Sequence, residues 1–109
     1  MGGFGRDGVL DYQGTRWKKK RAHILRLDGY IDRVQARYGK TVEATVVHHI
    51  YPADEYPEYQ WETWNLISVS QATHNALENR QTGELTEKGL ALQRRTVPGK
   101  NWRKKNEKF

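Results

Sequence analysis

The sequence predicts an α+β fold: a small two-stranded sheet with flanking helices. Three observations carry the expectation. The β-branched run Thr45-Val46-Val47-His48-His49-Ile50 reads as a strand, and Leu66-Ile67-Ser68-Val69 as a second. Between them, Tyr51 to Trp64 contains two prolines, which argues against a regular element. Ser70 then stands where a helix cap belongs, ahead of Gln71-Ala72-Thr73-His74. Strand, long loop, strand, helix is the expected central unit.

The remaining elements follow in chain order. A length of 109 residues fits one domain with one modest core. Residues 1–15 open Met-Gly-Gly-Phe-Gly-Arg-Asp-Gly and read as a flexible arm, and residues 16–95 as the body. Trp17 to Leu27 fits a helix, with Trp17, Ile24 and Leu27 on a narrow apolar stripe. Thr15 is the expected cap, and Asp28-Gly29 the stop. Tyr30 to Tyr38 is either another helical turn or an irregular loop. Gly39-Lys40 is a turn, and Thr41 to Ile50 is rich enough in Val and Thr to be a strand throughout. The helix after Ser70 should run from 71 to 80, where Gln81-Thr82-Gly83 breaks it. Thr86 to Arg95 forms a further short helix. Residues 96–109, with Pro98-Gly99 near the start, read as a basic tail.

Composition narrows the function classes. With no cysteine, disulfides and thiolate metal sites are excluded. No apolar run approaches the roughly 20 residues of a membrane span, and the N-terminus lacks the apolar core of a signal peptide. A cytosolic setting is expected. Charge is sharply partitioned: residues 1–40 carry a net +6, residues 41–79 a net −6 with no Lys or Arg, and residues 80–109 a net +6. Clustered cations of this kind attract phosphate backbones, although a solvated basic surface is common in small domains.

The histidines carry the chemistry. A lone histidine is usually a surface or satisfied core residue. Here three of the four, His48, His49 and His74, fall within the segment that has no fixed positive charge; His23 lies in the basic helix and has no expected role. Asn65 follows His49 by sixteen residues and His74 lies nine further on. Hydrolysing a phosphodiester at neutral pH needs a cation on the phosphate and a base on the water, and this set supplies both residue types. Neighbouring strand residues point to opposite faces, so His48 and His49 should not share one ion. One should bind the metal and the other reach the water.

Three blocks in order, Val46-Val47-His48-His49-Ile50-Tyr51-Pro52, Trp64-Asn65-Leu66-Ile67-Ser68 and His74-Asn75-Ala76-Leu77-Glu78, resemble the HNH endonucleases, in particular the small phage-type members. Leu27-Asp28-Gly29-Tyr30 and Gly39-Lys40-Thr41-Val42-Glu43-Ala44-Thr45 extend the resemblance, which covers roughly residues 16 to 80. It implies a ββα-metal (HNH, or His-Me finger) core with one catalytic divalent ion, Mg2+ or Mn2+ ahead of Zn2+ or Ni2+. It implies that His48 and His74 are metal ligands, that His49 is the general base, and that Asn65 pins the loop and orients the base. Glu78 lies one helical turn beyond His74, where it either faces the same ion or faces solvent.

Many relatives carry two Cys-x-x-Cys pairs on a structural zinc. Asp32, Gln35, Ser70 and Thr73 stand at the matching positions here, and neutral Gln, Ser and Thr are poor zinc ligands. No structural zinc is expected, and hydrogen bonds or aromatic packing must take its place. The resemblance thus implies a metal-dependent DNA endonuclease that nicks or cuts both strands. Lys18, Lys19, Lys20, Arg21, Arg103, Lys104 and Lys105 would hold the DNA backbone. It also suggests a phage-encoded protein in the cytoplasm of a bacterial host, linked to genome packaging and its terminase subunits. The rival readings are a catalytically inactive DNA-binding module and a terminase-associated structural component. Preferred metal, strand choice, specificity and oligomeric state are left open by the sequence.

Overall fold

The computed structural model describes residues 10–103. Helix α1 (Thr15–Leu27) and the short α2 (Arg33–Ala36) precede strand β1 (Val46–His49). The loop that follows contains two 3-10 turns, Pro57–Tyr59 and Thr63–Asn65. Strand β2 (Leu66–Val69), α3 (Gln71–Leu77) and α4 (Glu87–Arg95) complete the order.

β1 and β2 pair antiparallel, with Val46 opposite Val69, His48 opposite Ile67 and His49 opposite Leu66. The period of two along each strand buries both faces of this sheet. Val47 and Leu66 join Leu10, Trp17, Ile24 and Leu25 in one apolar cluster beneath α1. Ile67 and Val69 join Ile50, Leu77 and Leu92 in another beneath α3 and α4. Each histidine of the pair therefore projects towards a different layer.

Several boundaries depart from expectation for identifiable reasons. Gly14, not Thr15, is the N-cap of α1, and its N–H donates to the Asp11 carbonyl. Leu27 is 48% exposed, and Leu25 takes its place in the core. β1 is four residues long because residues 42–44 turn towards residues 30–32: Asp32 N–H donates to the Val42 carbonyl and Ala44 N–H to the Tyr30 carbonyl. α3 ends at Leu77 because α4 closes on its C-terminus. Thr86 donates its N–H to the Leu77 carbonyl and its hydroxyl to the Ala76 carbonyl. Gly89 sits so close that a Cβ would overlap the Leu77 carbonyl.

The body also reaches beyond residues 16–95. Leu10 is buried, so the packed chain starts inside the expected arm, whose residues 1–9 lie outside the described ones. Thr96 and Arg103 are buried, so the expected tail begins as part of the body.

Asp32, Gln35, Ser70 and Thr73 form a hydrogen-bonded knot between α2 and the start of α3. Asp32 caps α2 by accepting from Val34 N at 3.0 Å and Gln35 N at 2.9 Å, and its other oxygen accepts from Ser70 N at 2.9 Å. Gln35 Nε2 donates to Thr73 Oγ1 at 3.3 Å, and Ser70 Oγ accepts from Thr73 N at 3.1 Å, capping α3. Burial pushes the Asp32 carboxyl up, but bonds from Thr73, Gln35 and Ser70 outweigh it and hold the group below its ordinary range.

Candidate metal and catalytic site

The side of β1 that faces α3 brings three donors together. His48 is 1% exposed, and neither ring nitrogen has a hydrogen-bond partner among the described residues. Its ring centroid lies 5.3 Å from that of His74. Glu78 Oε1 lies 3.4 Å from His74 Nε2 and 3.6 Å from His48 Nδ1. One donor atom from each of the three residues falls within 4.8 Å of the others. Glu78 thus lies beside both histidines while staying partly open to solvent. The extended backbone of Glu78 just past α3 aims the carboxylate at β1.

Burial, with help from His74 and His49, pushes the His48 imidazole down to about 3. It is neutral at pH 7, so its approach to Glu78 is not an ion pair, and 3.6 Å is too long for a hydrogen bond. A buried imidazole with both nitrogens unsatisfied is costly unless something takes a lone pair. Two imidazoles and a carboxylate around one point form a divalent-cation donor set. The residues present therefore fit the ion expected here.

His49 occupies the opposite layer. Its ring stacks on Trp17, with centroids 5.1 Å apart and planes at 22°, and the edge of Tyr12 approaches at 6.1 Å. His49 Nε2 lies 3.1 Å from the Gln60 carbonyl. A carbonyl only accepts, so Nε2 must carry the proton and Nδ1 is left with the lone pair. Burial lowers this imidazole to about 4, against the Gln60 bond and Glu78, which raise it. It is a neutral base at physiological pH.

Asn65 does not touch His49. Its side chain accepts from Tyr51 N at 2.7 Å and donates to the Tyr51 carbonyl at 3.0 Å and the Tyr59 carbonyl at 3.1 Å. It clamps the loop that presents the Gln60 carbonyl to His49. Gln60 is itself buried and donates to the Pro57 carbonyl at 2.8 Å. A cleft of about 410 Å³ opens over this region, with His49, His74 and Glu78 in its lining.

The expected DNA-contacting residues separate into groups. Lys18 and Lys19 are exposed on α1, and Arg21 is half-buried. Lys20 is half-buried, and its ammonium donates to Thr63 Oγ1 at 3.1 Å. Arg103 turns inward. It is 8% exposed, its Nε lies 2.6 Å from Asp28 Oδ1, and its remaining nitrogens reach Asp28 Oδ2 and the carbonyls of Thr63 and Leu66. A guanidinium so engaged commits four of its five N–H donors inside the fold. Lys104 and Lys105 lie outside the described residues. Sequence reasoning missed Tyr12, Gln60 and the pairing of Arg103 with Asp28. None of them has a local signature, because each acts on a partner distant in the chain.

Neither known family descriptions nor curated proteins returned a match by sequence. Among solved structures, the fold is similar to the manganese-bound crystal structure of an HNH endonuclease from the deep-sea thermophilic bacteriophage GVE2. The TM-score is 0.57 at 30% identity, over 59% of this chain and 70% of that one.

Proposed function

This chain belongs to the HNH endonuclease family, and from that premise we propose that it hydrolyses phosphodiester bonds in DNA with one divalent cation. The observation that carries the reading is the division of labour across β1. His48, with His74 and Glu78, would hold the ion on one side, and His49 stands tautomer-locked on the other.

The bound ion supplies charge stabilisation to the phosphate and the departing oxygen. The protein's own groups do the rest. Gln60 holds the Nε2 proton, so His49 Nδ1 receives a proton from the attacking water. Trp17 fixes the plane of the imidazole and Asn65 fixes the loop that aims it. Lys18, Lys19 and Arg21 would bind backbone phosphates without reading sequence. Two imidazoles and one carboxylate suit Mn2+, Ni2+ or Zn2+ better than Mg2+, which prefers an all-oxygen shell. The GVE2 endonuclease structure holds a manganese ion, which supports a divalent-cation site here.

Plasmid nicking tests the proposal, run with Mn2+, Mg2+, Ni2+, Zn2+ and EDTA. Cleavage should need the cation. His49→Ala should lower the rate about 10²–10⁴-fold while calorimetric Mn2+ binding persists. Activity within a few-fold of the parent rejects His49 as the base. DNA binding without cleavage under any cation would instead favour the inactive-module reading. The phage origin of the neighbour supports a phage-encoded protein. A role beside the packaging terminase is part of the proposal, tested by pull-down against terminase subunits.

A further inference from the structure

The cleft offers two kinds of lining. His49, His74, Glu78 and Asp54 are polar, whereas Leu10, Tyr12 and Pro52 provide apolar wall. A water occupies about 30 Å³. A phosphate group and the attacking water therefore account for only part of a cleft of about 410 Å³. The remainder matches the apolar lining, which neither group uses.

Tyr12 is the distinctive residue of that lining. Its ring is held edge-on by Trp17 at 5.4 Å and by His49 at 6.1 Å. It nevertheless stays 50% exposed. A large aromatic fixed in place, open to solvent and beside a phosphate-handling group is the arrangement of a base-stacking platform.

We propose that the Tyr12 ring stacks against the nucleobase next to the scissile phosphate, making the cleft a nucleotide site and not a bare phosphate site. The proposal rests on the endonuclease reading above. It has a consequence for the substrate. A base stacked in a duplex must leave its neighbours to reach Tyr12, at a cost of a few kcal/mol that is least for unpaired bases. Single-stranded, mismatched or distorted DNA is therefore preferred over regular duplex at the cleavage point.

The test uses the full chain with EDTA in place of the cation, which suppresses cleavage and leaves the His49 ring beside Tyr12. Binding is measured to a single-stranded oligonucleotide containing 2-aminopurine and to the matching duplex. Tyr12→Ala or Tyr12→Leu should weaken single-strand binding about 5- to 150-fold, the span of one aromatic–base stack. Tyr12→Phe should retain it. Duplex affinity should change less than twofold. Quenching of 2-aminopurine beside the cleavage point should vanish with Ala and Leu and persist with Phe.

Equal single-strand affinity and equal quenching in parent and Tyr12→Leu would overturn the proposal. So would equal weakening of single strand and duplex, which would make Tyr12 a wall shielding Trp17 and His49. If the parent neither binds nor cuts any DNA, the endonuclease reading itself falls. Tyr12→Leu keeps apolar bulk over Trp17, so its melting curve separates lost stacking from lost folding.

Discussion

Two polar clusters meet α3, one at its first turn and the other towards its C-terminal end, and they are built on opposite terms. In the Asp32–Gln35–Ser70–Thr73 knot, the carboxylate satisfies three backbone N–H groups and the side chains cap two helices. In the His48–His74–Glu78 cluster, a fully buried imidazole keeps both nitrogens unsatisfied among the described residues. Buried polar groups in folded proteins are nearly always bonded. The first cluster obeys that rule and holds the fold together. The second breaks it, in the cleft where a cation and a phosphate are expected. The difference teaches that polarity inside a small domain is not by itself a function signal; an unsatisfied imidazole gathered with further donors round one point is.

The comparison breaks most visibly if the knot proves dispensable. Asp32→Ala strands three backbone donors at once, and the loss should be about 3–5 kcal/mol at roughly 1 kcal/mol or more per donor. Urea unfolding checks this. A midpoint close to the parent's would mean that the knot is decorative. Asp32→Asn should recover part of the loss, because an amide oxygen still accepts.

The second cluster should show its incompleteness through the ion. Mn2+ at a hundred times its dissociation constant should stabilise the parent by about 2.7 kcal/mol. His48→Ala should remove most of that gain yet cost little stability in EDTA, since it deletes an unsatisfied group. If His48→Ala melts far below the parent in EDTA, His48 is a structural residue. Asp32 variants that still fold should keep the full Mn2+ response.

The smallest effect sharpens the comparison by pH. His48 and His49 have folded values lowered to about 3 and about 4, beneath the ordinary 6.5. As pH falls through 6.5, the unfolded chain protonates first, so stability conferred by the neutral imidazoles is full above 6.5. It drains towards the folded values below. Between pH 7 and pH 6 in EDTA the loss should be about 1 kcal/mol for the pair together. Asp32 runs the same way at lower pH: its stabilisation is complete above the ordinary carboxylate range and goes only as pH drops beneath it. A melting temperature flat from pH 7 to 5 would show that the imidazoles are not buried as described.

Much of this was readable from residue order. Alternating strand geometry separated His48 from His49, and Ser70, Asp28 and Gly39 marked ends or turns that the structure retains. β2 and α4 fall where expected, and Asp32, Gln35, Ser70 and Thr73 are hydrogen-bonded as the missing thiolates required. What stayed hidden was set by contacts across the chain. The tautomer of His49 depends on the direction of one backbone carbonyl, at Gln60, which no side chain advertises. The end of α3 depends on α4 docking through Gly89. Arg103 looked like one cation in a basic run, but its partner Asp28 lies 75 residues earlier.

That last pair changes what counts as a minimal nuclease. Arg103 takes the carbonyls of Thr63 and Leu66, the residues that bracket Asn65, and Trp102 Nε1 donates to the Trp64 carbonyl at 2.8 Å. The far end of the described chain is thus a buckle fastened over the end of the loop that joins β1 to β2. A fragment trimmed at the end of α4 would retain every candidate ligand and the candidate base. It would lose the fastening that keeps them in register, so the working unit extends at least through Arg103.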